Sequence, residues 1–82
     1  MKINEIMDAI MEEKGMGKAQ LGRAVGIDDK KNPSDVINKR LKQKNISVNV
    51  LSEMLAAMGY TIVIAPVGTK LKDGEYEVDN NG

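Results

Sequence analysis

The sequence predicts a mainly α domain, four helices in succession closed by a C-terminal β-strand or hairpin. Three observations carry that expectation. Apolar residues recur at helical spacing through the first 59 residues, and from Tyr60 the pattern changes to a β-branched run. The chain has only 82 residues, 41% of them apolar, yet Phe and Trp are absent and Tyr occurs only at positions 60 and 76. The core must therefore be aliphatic, built from Ile, Val, Leu, Ala and six Met. A chain this short buries about 60–65% of its unfolded surface, so a single domain is expected and a partner subunit would add stability.

The elements follow in order. Ile3, Ile6, Met7, Ile10 and Met11 form one stripe on a helix spanning about 3–14, and Gly15 supplies its stop. Leu21, Ala24 and Val25 make the inner face of a second helix, about 18–25, ended by Gly26. Gly22 lies on that helix beside Leu21. Close approach of another helix there is favoured over an ordinary helix-weakening glycine, which would cost about 1 kcal/mol against Ala. After a polar connection, 28–32, Asn32-Pro33-Ser34-Asp35 reads as a helix start, with Asn at the cap and Pro at the first position. Val36, Ile37 and Leu41 face inward on this third helix, about 33–44. Asp35, Asn38, Lys39 and Lys42 lie on its opposite side, with Ser34 at the margin. Ser47 caps a fourth helix, about 48–58, striped by Leu51, Met54, Leu55 and Met58 and ended by Gly59, with Ile46 and Leu51 as a hydrophobic staple.

Tyr60-Thr61-Ile62-Val63-Ile64-Ala65 reads as a strand buried on both faces, ended by Pro66 and Gly68. Asp73-Gly74 is a type I′ turn signal between two alternating stretches, so a hairpin is expected over 70–78. Residues 80–82 should be a frayed tail.

Absent residue types exclude much chemistry. Without Cys there is no disulfide framework, thiol nucleophile or cysteine-ligated zinc; without His, most zinc sites and the commonest general base also go. Acid pairs such as Glu12-Glu13 and Asp28-Asp29 adjoin in sequence and point apart on a helix, and Gly15-Met16-Gly17-Lys18 lacks the strand that precedes a phosphate loop. No enzyme activity, cofactor or metal is expected. The N-terminus lacks a signal-peptide apolar region, and the longest apolar run, 62–67, is far short of a membrane span. A soluble, cytoplasmic protein without a membrane role is the expectation.

Lys plus Arg and Asp plus Glu number 12 each, so the net charge is zero. The balance is local, however. Half of all basic residues (Lys30, Lys31, Lys39, Arg40, Lys42 and Lys44) lie in the third helix and the connection before it, while the segment from Lys70 onward is acidic. A charge run is usually a solvated face. Here it coincides with a helix face that also carries Ser34 and Asn38, a combination suited to phosphate and base contacts.

At this point the chain resembles the lambda-repressor-like (Cro/XRE-type) helix-turn-helix family. The likeness rests on Met16-Gly17-Lys18-Ala19-Gln20-Leu21-Gly22-Arg23-Ala24-Val25-Gly26-Ile27, similar to the family's second helix and turn. It rests also on Asp35-Val36-Ile37-Asn38-Lys39-Arg40-Leu41, which looks like its recognition helix, and on Asn45-Ile46-Ser47-Val48 through Leu51, Leu55, Met58 and Gly59. It covers roughly residues 3–59. Three features depart from the family. Gly17 and Lys18 replace the usual cap and Gln, the connection after Gly26 is longer than the family's tight turn, and Asp35 puts an acid on the reading face.

The resemblance implies a four-to-five-helix helix-turn-helix domain over 1–59 that binds double-stranded DNA as a phage- or prokaryote-type transcription regulator, such as a repressor. The expected base-reading residues are Ser34, Asn38, Lys39 and Lys42, with Asn38 suited to adenine and Lys39 or Lys42 to guanine or phosphate. Lys18, Gln20, Lys30 and Lys31 are the expected phosphate contacts. Arg40 flanks the core side and is divided between a DNA contact and an ion pair with a first-helix carboxylate. Residues 60–79 are expected to form a dimerisation extension, pairing through Tyr60, Ile62 and Ile64 to give a homodimer; a monomer whose hairpin folds back onto the helices is the alternative. A different reading of the acidic extension is a protein-interaction module, such as the antitoxin of a toxin–antitoxin pair or a small phage adaptor.

Overall fold

The computed structural model describes residues 1–79. It is mainly helical, with α1 (Ile3–Lys14), α2 (Lys18–Ala24), a 3₁₀ turn at Asp29–Lys31, α3 (Pro33–Lys42) and α4 (Val48–Ala57). The expected frayed tail, 80–82, lies outside the described residues. The helices sit close to where their apolar stripes require, except that Ala24, expected on the inner face of α2, is exposed and Val36, expected inward on α3, is only half-buried outside the core. Ile6, Met7, Ile10 and Met11 of α1 are buried with Leu21, Ile37, Leu41, Met54, Leu55 and Met58 in one core. Ile3, Val25 and Leu51 pack at its edge, half-buried. That core contains no aromatic ring, as the composition demands.

Three of the helices stop by the same device. Gly15, Gly26 and Gly59 take left-handed backbones with φ of 62°, 87° and 81°. Each donates its N–H three residues back, and the next residue donates five back: Met16 to Met11 at 2.9 Å, Ile27 to Gly22 at 3.0 Å and Tyr60 to Leu55 at 2.9 Å. This is the Schellman arrangement, which satisfies the last carbonyls and turns an apolar residue back onto the helix it ends. Met16, Ile27 and Tyr60 accordingly pack against the core. The starts are also capped. Glu5 accepts from the Lys2 N–H at 2.9 Å, and the Ser47 hydroxyl accepts from the Val50 N–H at 3.2 Å.

Two local expectations need correction. Asn32 occupies the cap position of α3 but makes no side-chain cap bond; its contribution is a left-handed backbone, φ 55°, which Asn tolerates better than most residues. The helix also stops at Lys42 rather than near Lys44, because Gln43 turns extended (φ −64°, ψ 135°).

Gly22 fixes how α2 meets α3. It is buried, and a Cβ built on it would lie 2.5 Å from Pro33 Cβ and 2.8 Å from the Pro33 carbonyl oxygen. Pro33 is a ring at the first turn of its helix and cannot swing aside. The two helices therefore approach as closely as backbone allows, and the glycine is a packing residue.

The C-terminal segment differs from expectation. Among the described residues there is no strand, neither at Tyr60–Ala65 nor in a hairpin over 70–78. The Lys72–Glu75 turn forms, with the Glu75 N–H donating to the Lys72 carbonyl at 3.1 Å, but only Gly74 has positive φ (83°). A type I′ turn needs positive φ at both central residues; with it at the second alone the turn has type II signs, which splay the flanking segments instead of pairing them. Pro66–Thr69 closes a second turn, again with positive φ at its third residue, Gly68. The arm then returns to the start of the chain. The Met1 ammonium contacts the Glu77 carbonyl at 3.1 Å and the Asp79 carboxylate at 2.9 Å, and the Asp79 N–H donates to the Met1 carbonyl at 3.0 Å.

Replacing Gly22 tests the α2–α3 seat. Gly22→Val overpacks it and should cost about 1–3 kcal/mol, lowering the thermal midpoint by several degrees in a domain this small. An unchanged or raised midpoint would show that the contact is slack.

Candidate nucleic-acid interface

The outer face of α3 is open to solvent along Asp35, Lys39 and Lys42, while Ser34 and Asn38 are half-buried at its edge. Opposite them, Pro33, Ile37 and Leu41 are buried. The basic residues on this helix fall in its last turns, where they complement the negative end of the helix dipole. Lys30, Lys31, Lys39 and Lys42 are exposed, and among the described residues none is in an ion pair.

The long connection between α2 and α3 is ordered by its own side chains. Asp28 accepts from the Lys30 N–H at 2.9 Å and so caps the 3₁₀ turn. Arg23 Nε meets Asp29 Oδ1 at 2.9 Å, tying the last turn of α2 to that turn. The two side chains are 59% and 73% exposed, so the pair contributes at most about 1 kcal/mol. Its effect is positional: it ties the short turn that carries Lys30 and Lys31, directly before α3, to the end of α2.

Lys18 and Asn38, expected in separate roles, are brought together. Lys18 Nζ donates to Asn38 Oδ1 at 2.8 Å across α2 and α3, in a partly buried contact. Gln20 is exposed, but its carbonyl oxygen accepts from the Gly17 N–H at 2.7 Å and caps α2, which leaves its amide donors for any outside partner. That Gly17–Gln20 bond is the reciprocal half of a capping box, and Gly17, without a side chain, supplies no cap to the first-turn N–H groups of α2. Arg40 forms no ion pair with α1 among the described residues; it is half-buried, and its Nη1 is buried without a hydrogen-bond partner.

The residues expected at a subunit contact separate. Tyr60 is turned onto its own chain. Its hydroxyl donates to Glu13 at 3.3 Å, its ring centroid is 6.4 Å from that of Tyr76, and Lys14 Nζ lies 5.8 Å from the ring centre. Burial, and then the Glu13 carboxylate, raise the Tyr60 phenol above its ordinary value. Ile62 and Ile64 stay exposed, by 39% and 97%, with Val63 between them at 74%. Between this arm and the Ile3, Ile6, Ile10, Leu51 and Leu55 side of the helices runs an open groove of about 830 Å³.

Two of these features were not readable in advance. The Arg23–Asp29 clasp and the Lys18–Asn38 bond join separate elements and leave no periodic trace. The Asp28 cap had a signal, an Asp two residues before the amide it accepts from. Among the described residues no group of acids could hold a metal ion, and no helix is long and apolar enough to cross a membrane.

The fold and this face define a small helical domain with an exposed basic helix seated on its neighbour. Comparison with protein families, curated proteins and solved structures finds no match.

Proposed function

We propose that the protein is a sequence-specific DNA-binding transcription regulator of the lambda-repressor-like helix-turn-helix type, with α3 entering the major groove. The observation that carries this reading is the seating of α2 on α3. The Gly22–Pro33 approach and the Lys18–Asn38 bond hold the inner side of α3, and Asn38, Lys39 and Lys42 are left at or near solvent beside the ordered lysines of the 3₁₀ turn. In helix-turn-helix docking the second helix of the pair lies in the groove while the first braces the backbone. Lys18, Gln20, Lys30 and Lys31 then contact phosphates, and Ser34, Asn38, Lys39 and Lys42 face bases. Because the net charge is zero, long-range attraction is weak, and affinity depends on this patch.

Binding to duplex DNA, followed by fluorescence anisotropy across a salt series, tests the reading. Affinity should fall steeply with salt, and Lys30→Ala should flatten the log–log slope by about 0.9 while weakening all sequences alike. Lys39→Ala should weaken binding without lowering the thermal midpoint. Affinity indifferent to salt, or untouched by both substitutions, would contradict a DNA interface on this face.

The partner reading is a homodimer paired through the arm. Among the described residues no backbone N–H from Thr61 to Ala65 reaches a backbone acceptor. A segment with unpaired backbone donors, apolar at Ile62 to Ile64, favours pairing with a second copy. Since Tyr60 is anchored on α1, the contact falls to Ile62 and Ile64. A two-fold pairing would present two α3 helices to the two halves of a palindromic site. Sedimentation at micromolar concentration should show a species of twice the 9.0 kDa chain mass. A single species at the chain mass would refute the dimer and leave the arm to a different protein, as in the antitoxin reading.

A further inference from the structure

Building on the DNA-binding reading, we infer that Lys18 sets the base preference of Asn38, turning a residue suited to adenine into one that reads guanine. An unengaged asparagine offers one acceptor and one donor arm, which match the N6 amine and N7 of adenine. In this structure the acceptor is taken, because Lys18 Nζ donates to Asn38 Oδ1 at 2.8 Å. The assignment of oxygen and nitrogen follows from chemistry: an ammonium has three donors and no acceptor, so only the carbonyl oxygen of the amide can face it.

The bond is charge-assisted and partly buried, hence among the stronger hydrogen bonds a side-chain pair makes. It leaves the Asn38 amide group as the free arm. The oxygen keeps a second lone pair, but an adenine amine approaching it would meet the adjacent ammonium, whose charge repels another donor. Guanine presents two acceptors, O6 and N7, on the same edge. The Lys18–Asn38 unit offers donors only, and it matches guanine as a lysine or arginine does.

The one acid on this face is compatible with the same base pair. Asp35 is exposed one helical turn before Asn38 and makes no ion pair among the described residues. A carboxylate facing DNA is repelled by phosphate and can accept in the groove only from an exocyclic amine, cytosine N4 or adenine N6. The donors at Asn38 carry the preference for guanine, and the acceptor at Asp35 is compatible with a neighbouring cytosine amine. Lys18 is here a positioning residue, distinct from a lysine that only neutralises a phosphate.

Selection from a randomised duplex library, with sequencing of the bound pool, tests this. The wild-type chain should enrich G at one position, and Asn38→Ala should abolish the preference there. Lys18→Met, which keeps the length of the side chain and a good helix former at the start of α2, should switch that position toward A. The discrimination at stake is about 5- to 150-fold, the range of one bidentate base contact. Independently of DNA, the Asn38 carboxamide resonances of the free protein should shift on Lys18→Met, while the backbone spectrum remains that of the folded domain.

Lys18→Met that lowers affinity equally for all sequences would overturn the inference and leave DNA binding standing, since Lys18 would then be a phosphate contact alone. Enrichment of A by the wild-type chain at the Asn38-dependent position would overturn it in the same way. A wild-type chain that selects and binds no duplex would overturn the DNA-binding reading itself.

Discussion

The missing side chain at Gly22 lets the backbone of α2 rest against Pro33, and the exposure of α3 follows from that contact. A single Cβ there would stand 2.5 Å from the proline ring, so the separation of the two helices is set by backbone atoms rather than by compressible side chains. Once α2 and α3 are this close, Leu21 and Ile37 are both fully enclosed, and Lys18, one turn before Gly22, lies within hydrogen-bonding reach of Asn38. The charged side of α3 has nowhere to turn except outward. Packing and candidate function thus share one cause.

The connection between these helices shows how a longer turn can keep the same seat. Asp28 and Arg23 convert what would be a loose polar stretch into a capped 3₁₀ turn clasped to α2. Asn32 then reverses the chain through a left-handed backbone so that Pro33 can open α3 against Gly22. Each polar residue of the stretch that is not itself ordering the turn, namely Lys30 and Lys31, is held outward. The extra length therefore places two outward lysines beside α3 without separating the helices, while Asp28 and Asp29 leave the stretch itself with no net charge.

The helical part was most legible where two kinds of signal agreed, at α1, α2 and α4; α3 has no closing glycine, and its end was set too late. Apolar spacing marked the inner faces, and glycines at 15, 26 and 59 marked the ends, where only a left-handed residue lets the chain fold back. Gly22 was readable for a different reason, as a side chain missing beside the buried face. The arm was misread because β-branched residues report a preference, whereas a strand requires a partner edge. Ile62 to Ile64 have none among the described residues, and Asp73-Gly74 adopts a turn whose signs splay its flanks. Of the candidate site, the face of α3 was visible in its helical wheel. The bond that joins Lys18 to Asn38 was not, since it depends on the crossing of two helices and no local pattern encodes a crossing.

The account rests on α2 and α3 acting as one unit toward DNA while the arm stands apart. Amide-resolved NMR of the labelled protein, titrated with duplex DNA, observes that division directly. The account predicts shifts concentrated at the start of α2, at Lys30 and Lys31, and along Asn38, Lys39 and Lys42, with Ile62 to Ile64 unaffected. Shifts confined to the arm, or to the Ile3 and Leu51 side of the helices, would contradict it.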